Sequence, residues 1–319
     1  MSHSDGMALA APRQIAVPGR NCWRIAPAAR AAFLIDASAY FAAFAQAVEQ
    51  AQRSIFIMAW DIHSRTRLRP DQPPGQYPDE LGPFLDALVR ERRDLHVYIL
   101  NWDCNIIYAF EREALPGVQL GWKTHQRIQF RLDSNYPVGA SLHQKIIVVD
   151  DAIAFSGGLD LTIRRWDTPA HLAQYPGRID HRGVPYPPFH DIQLLVDGSA
   201  ARALAELVRE RWFRRTGQRI PPTPVDTDPW PGAVQPDMTD NEWFFLAHTL
   251  RHLGAHFGQA SKARTWPSWQ PLFALDRIWV HPPEALAAVR VHISPTARGA
   301  SDHLPLVGII KVVRPEAHQ

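Results

Sequence analysis

His143 and Lys145 stand two residues apart in the segment SLHQKIIVVDDAIAFSGGLD, just ahead of a run of branched apolar residues. On a strand, residues two apart leave the same face, so an imidazole and an ammonium are expected to share one site. Asp150 follows at the expected strand end. Gly157-Gly158 mark the place where the returning backbone lacks side chains and a ligand can come close, and Asp160 lies just beyond. The set suits a phosphodiester. An imidazole can attack phosphorus and form a covalent intermediate, dividing one hard displacement into two. A lysine can hold the nonbridging oxygens and offset the charge that develops on them. That chemistry needs no metal, and no cofactor is expected at this site.

The spacing His143-x-Lys145-x4-Asp150-x6-Gly157-Gly158-x-Asp160 resembles the HKD signature of the phospholipase D superfamily. The strings NCWRIA, SIFIMAWDI, GASLHQK, AFSGGLDLTIRRWD and PFHDIQLLVDG are similar to its bacterial phospholipase D-like and cardiolipin synthase-like branch, over roughly residues 20 to 236. The resemblance implies an α/β domain with a helix-flanked sheet. It makes His143 the nucleophile or its proton-transfer partner, Lys145 the phosphate clamp and Asp150 a support of the site. Gly157, Gly158 and Asp160 would lie on the substrate side, and His190-Asp191 would be structural. Members of this branch carry two such motifs, whose histidines share the attack and the protonation of the leaving oxygen. No second H-x-K-x4-D exists in this chain, because His248, His252, His256 and His303 are not followed two residues later by lysine. A homodimer that brings two copies of His143 together would supply the missing group.

A second constellation lies near the C-terminus. ARTWPSWQPLFALDRIWV and ARGASDHLPLVGIIKV resemble the end of the endonuclease/exonuclease/phosphatase superfamily. By that resemblance His303 would act on a water, Asp276 would orient it, and Asp302 would help to hold Mg2+. Asn241 aligns within MTDNEWFF, but Thr239 stands where the family has its catalytic Asp, and the upstream ligands have no counterpart. Residues 240–319 therefore read as a small α+β fragment of that family's sandwich, with a weak claim on Mg2+.

The elements that must position these residues are read from periodicity. AAFLID, SIFIMAW and LHVYILNW read as buried strands. SAYFAAFAQAVEQAQR, with Ser38 as its N-cap, and ELGPFLDALVRERR read as helices between them. FERE at 110–113 is expected to be helical, and RIQFRLD to be a strand whose polar positions suggest an edge or a site-facing side. SLHQKIIVVDDAIAFSGG reads as strand, Asp-Asp turn and strand; after a polar loop over 167–190 come the strand HDIQLLV and the helix ARALAELVRERWFRR. Trp60 and Trp102 are expected in the core. Arg164-Arg165 read equally as a salt-bridged loop or a phosphate contact, and Arg209, Arg211, Arg214, Arg215 and Arg219 as the solvated face of the last helix. Six prolines between Pro221 and Pro236 predict an extended linker, so the domain is expected to span 21–220, the linker 221–239 and the C-terminal fragment 240–319, behind a flexible 1–20. The fragment is expected to hold a helix near FFLAHTLRHLGAHFG and strands at FALDRIWV and LVGIIKVV.

Composition bounds the partners. With 34 Lys and Arg against 32 Asp and Glu, the formal charge is +2, which supplies no basic field for nonspecific nucleic-acid binding. Cys22 and Cys104 cannot build a disulfide framework. The N-terminus lacks the continuous apolar core of a secretory signal, and no window reaches the ~20 apolar residues of a bilayer span. The expectation is a cytoplasmic protein with surface contact to a membrane, acting on phospholipids or another phosphodiester rather than on nucleic acid. A noncatalytic phosphate-binding remnant and a metal-dependent phosphoesterase run by the C-terminal part are the other readings.

Overall fold

The computed structural model describes residues 18, 22–73, 75–103, 125–135, 142–224 and 226–239, and the short stretches 243–246, 258–259, 279–280, 286–291, 293–295 and 306–310. The chain divides into two compact units, residues 27–243 and residues 1–26 with 244–319. Asn241, Asp276, Asp302 and His303 lie outside the described residues, as do Cys104 and the segment expected to be helical at 110–113.

In chain order the elements are β1 (Arg24–Pro27), β2 (Arg30–Ile35), α1 (Asp36–Gln50), β3 (Ser54–Ala59), α2 (Leu81–Glu91), β4 (His96–Trp102) and β5 (Ile128–Asp133). Next come β6 (Ile146–Val149), β7 (Ile153–Gly157), β8 (Ile192–Asp197), α3 (Gly198–Thr216) and β9 (Met238–Thr239). β10 (Trp243–Leu246), β11 (Gly258–Gln259), β12 (Trp279–Val280), β13 (Leu286–Val291) and β14 (Leu306–Ile310) complete the series.

Eight strands form one sheet in the order β5-β4-β3-β6-β7-β8-β2-β9. β3, β4 and β5 run parallel, and from β6 onward each pairing is antiparallel. All six residues of central β3 are buried, which accounts for its unbroken apolar text. Alternation then sorts the faces. Ile55, Ile57, Val97, Ile99, Ile147, Val149 and Phe155 join one core with Tyr40, Phe44 and Val48 of α1 and Phe84 and Leu88 of α2. Phe56 and Tyr98 point the other way, and Tyr98 meets Trp212 of α3 edge-on at 5.2 Å. The result is a mixed α/β sheet flanked by helices on both faces.

Strand directions send different residues to the two ends of the sheet. One end gathers the chain leaving β2, β3, β4 and β7 and the chain entering β6 and β8, and so holds Asp36, Trp60, Asp103, His143, Lys145, Asp160 and Asp191. The other holds Asp150, Asp151 and Asp197.

Several expectations need correction. α1 begins at Asp36 rather than after a Ser38 cap; the first N–H groups instead donate to loop carbonyls, Asp36 N to Asp191 O at 2.9 Å and Ser38 N to Asp167 O at 3.0 Å. The strand after Lys145 starts at Ile146, so His143 and Lys145 lie in the segment leading into it. The proline-rich stretch is not a free linker. Thr223 N donates to Asp151, Arg30 pairs with Asp228 at 2.7 Å, Trp230 is buried in the core, and β9 pairs with β2 as an edge strand. Proline fixes an extended path but leaves the intervening side chains free to dock. Arg209 and Arg211 are also more than a solvated face: they reach Asp151 at 2.6 Å and Asp133 at 2.5 Å and tie α3 to both ends of the sheet.

In the other unit β1 pairs with β10, β11 with β12 and β13 with β14. The expected helix around 244–258 opens instead as a strand through Leu246. β12 and β14 fall within the expected strands, and β13 lies outside them.

Candidate active site

Lys145 enters the sheet end opposite the last residue of β3 and is 6% exposed. Its Nζ lies 3.0 Å from Asp160 Oδ2, itself 5% exposed. The contact is a buried ion pair at hydrogen-bonding distance, and Asp160 is the one carboxylate paired with Nζ among the described residues. Asp160 is fixed independently, since its Oδ1 accepts the Trp60 N–H at 3.0 Å. Burial pushes its carboxyl above the usual carboxylate range, and Lys145 offsets only part of that.

His143 is exposed at the mouth of this site. Its ring centroid is 5.6 Å from that of Trp60, and Lys145 Nζ sits 5.6 Å from the same indole. Trp60, only partly buried, thus neighbours both the imidazole and the ammonium, and Trp102 packs against it at 5.6 Å. The core role expected of Trp60 is thus corrected: it lines the site. Its place directly after the unbroken apolar run of β3 was the signal available in the sequence.

Gly157 and Gly158 make room for protein. A Cβ at Gly158 would overlap the Asp191 carboxylate, and one at Gly157 would lie 2.5 Å from both Gln193 Oε1 and Ile192 O. The close approach expected of a ligand is made by the start of β8. Asp191, left to a structural role by sequence, belongs here as well: burial raises its carboxyl, and the Lys145 charge acts back on it. Gln193 is fully buried, and its Oε1 accepts the Leu159 N–H at 3.2 Å.

Asp150 is not part of this site. It closes the β6–β7 turn from the opposite strand end, four strand residues from Lys145 or roughly 16 Å at the usual rise. Both Asp150 and Asp151 have positive φ, 49° and 53°, as the central residues of the turn that Ala152 N–H closes by donating to Val149 O. Asp150 accepts N–H bonds from Gln52, Arg53 and Ser54 at 2.7–2.8 Å, so it locks the approach to β3. Arg164 pairs with Asp180 at 3.0 Å, which favours the salt-bridged reading of that loop.

Sequence comparison matches the family described as Phospholipase D to residues 47–233, more than half of the chain. Phospholipase D A of Dictyostelium discoideum is 28% identical over 225 residues, covering 61% of this chain and 17% of that protein. Phospholipase D zeta 1 of Arabidopsis thaliana is 25% identical over 220 residues, covering 57% and 19%. The chain thus spans about a fifth of the length of the relatives it matches. Among solved structures, the phospholipase D family member Nuc from Salmonella typhimurium aligns over 60% of this chain and 99% of its own, with 17% identity and a TM-score of 0.37.

Proposed function

The chain belongs to the phospholipase D family, and from that premise we propose that it cleaves or transfers phosphodiesters through a phosphohistidine, with glycerophospholipids as substrate. Lys145 carries the reading. A buried ammonium has three N–H donors, and the single carboxylate oxygen at 3.0 Å, Asp160 Oδ2, leaves at least one hydrogen bond unmade among the described residues. A nonbridging phosphate oxygen would accept that bond. Next to it His143, exposed and braced by Trp60, is open to an incoming phosphorus.

In the first step a lone pair of the His143 ring forms a P–N bond, the P–O bond to the leaving alcohol breaks, and that oxygen takes up a proton. In the second, water or another alcohol forms a P–O bond, loses its proton and releases the imidazole. Hydrolysis and transfer differ only in that second attacker, and neither step calls on a metal. With one His-x-Lys pair per chain, the proton donor would be His143 of a second copy. Lipid is favoured by the names of the relatives and by exposed Leu172, Ile179 and Val184 on the loop between β7 and β8, which suit contact with a membrane surface.

The test is turnover of phosphatidylcholine vesicles in EDTA, with and without a primary alcohol, beside a DNA oligonucleotide and bis-p-nitrophenyl phosphate. Headgroup release and an alcohol-exchanged lipid are expected, with activity rising with dimer fraction. The single motif favours a second reading, a phosphate-binding module, which requires binding of diesters without turnover. Activity that EDTA removes and His303→Ala destroys would assign the chemistry to the C-terminal part.

A further inference from the structure

The loops that follow β3 and β7 enclose a pocket of about 310 Å3, partly open to solvent. Phe41 of α1 lies in its wall, and the rest of the lining comes from three segments, 65–70, 162–166 and 177–186. That space is near the lower bound of small-ligand clefts, about 300–1,000 Å3. None of the residues placed in the His143–Lys145 centre lines it.

Three arginines do. Arg65 pairs with Glu80 at 3.3 Å, Arg67 with Asp79 at 3.1 Å and Arg164 with Asp180 at 3.0 Å. These pairs use only part of each guanidinium: Nη1 of Arg65 and of Arg164, and both Nη atoms of Arg67, have no acceptor among the described residues. Of the three carboxylates only Asp180 lines the pocket, and its capacity is used. Its Oδ1 accepts the N–H groups of Arg182 and Val184, and its Oδ2 accepts Arg164. The wall thus sets three cations against one anion. Partly exposed pairs of this kind contribute only about 0–1 kcal/mol each, so stability does not account for gathering three arginines here.

Two further nitrogens of the lining lack partners. Trp166 is 3% exposed, and its Nε1, which can only donate, has no hydrogen-bond partner among the described residues; the same holds for His181 Nδ1. Burial, and then the Arg65 charge, hold the His181 ring below its ordinary range, so it stays neutral and can donate from Nδ1. Buried donors left unpaired cost about 1–3 kcal/mol each, and an oxyanion in the pocket supplies the acceptors.

We propose that this pocket is a second, noncatalytic site, which binds a phosphate monoester through Arg65, Arg67 and Arg164. A monoester brings a second charge and one more terminal oxygen than the diester of the catalytic centre, which suits three guanidinium forks. Ile179, itself in the lining, and Val184, whose N–H reaches Asp180, are exposed beside it. A basic pocket rimmed by exposed apolar side chains fits a headgroup at a bilayer surface. The same loops carry Trp60, Asp160 and Asp191, and Thr162 of the lining donates to Asp61 at 2.8 Å. A filled pocket would therefore steady the sheet end that handles the phosphodiester.

The experiment uses the full chain with 15N-labelled tryptophan and inorganic phosphate, at constant ionic strength and a mildly alkaline pH where phosphate is dianionic. The Trp166 indole N–H resonance, assigned from its loss in Trp166→Phe, should shift and saturate. Arg65→Gln/Arg67→Gln, folded by circular dichroism, should weaken that binding at least about 10-fold. Sedimentation with phosphatidylcholine vesicles, with and without phosphatidic acid, separates the sources. Tighter binding to phosphatidic acid, lost in the double variant and kept in His143→Ala, supports a lipid headgroup as the ligand. A phosphate response without that preference supports the site with a soluble phosphate monoester as its ligand. A Trp166 resonance that does not move at millimolar phosphate, or a double variant that binds phosphate as tightly as the parent chain, overturns the proposal. Because His143 takes no part in the readout, the phosphodiesterase reading can fail without deciding this result.

Discussion

At the far end of the eight-stranded sheet, Asp150, Asp151 and Asp197 bury their carboxylates and satisfy them. Asp150 holds three backbone N–H groups, Asp151 holds Arg209 and Thr223, and Asp197 holds the N–H groups of Ala29 and Arg30 with the Arg30 guanidinium. At the near end the same depth of burial is left open. Gln193 Nε2 has no hydrogen-bond partner among the described residues, Lys145 Nζ meets a single carboxylate oxygen of Asp160 at 3.0 Å, and Asp160 and Asp191 are pushed up by burial. Buried charge alone does not mark a functional end. The distinguishing mark is unspent hydrogen-bonding capacity, which costs folding free energy and becomes useful only when a ligand arrives.

Exchanging one residue at each end gives the largest separation of effects. His143→Ala should lower kcat by at least about 10³-fold, as loss of a nucleophile does, while leaving the melting temperature in place because the ring is exposed. Asp150→Ala should do the reverse: three buried N–H groups lose their acceptor, so denaturant titration should show about 3 kcal/mol or more of lost stability, with turnover per folded molecule retained. Lost turnover in folded Asp150→Ala would erase the distinction between the ends.

A smaller effect tests the glycines. Gly158→Ala forces a methyl into the Asp191 carboxylate, and about 1–3 kcal/mol of destabilisation is expected together with loss of activity. Gly183, at φ of 79° with open space around it, should cost only about 1 kcal/mol on change to Ala and leave activity alone. Comparable activity in the two variants would show that Asp191 does not need its place.

The smallest effect is on pH. Because the folded Asp160 carboxyl titrates above its unfolded value, the folded state keeps that proton to higher pH, and this group removes stability as pH rises through the interval. Protonation also releases Lys145 from its counter-ion. In a His143→Ala background, affinity for dimethyl phosphate, which stays monoanionic, should rise several-fold as pH falls through the interval in which Asp160 takes up its proton. Asp160→Asn should retain only the part contributed by Asp191, also raised by burial. An equal rise with and without Asp160 would place the sensing elsewhere.

Much of this architecture was legible in the chain. Unbroken apolar runs announced β3 and β4, helical spacing announced α1 and α2, and the His-x-Lys pair announced the site. The sheet end was harder, because strand direction is set by pairing. Asp150 sits within the motif yet lies at the other end, and Asp191, 46 positions after Lys145, lies at the same one. Composition also misled at Trp230: six prolines suggested a linker, but one indole packs into the core and one aspartate pairs with Arg30 at the surface.

The fate of the phosphorus separates a phosphohistidine enzyme from its rivals. Rapid acid-free quenching of the full chain during turnover of a phosphodiester in EDTA, followed by peptide mass spectrometry, should find one acid-labile phosphoryl adduct on the His143 imidazole and none in Lys145→Ala. Steady turnover with no adduct, or with the adduct on another residue, would contradict that mechanism.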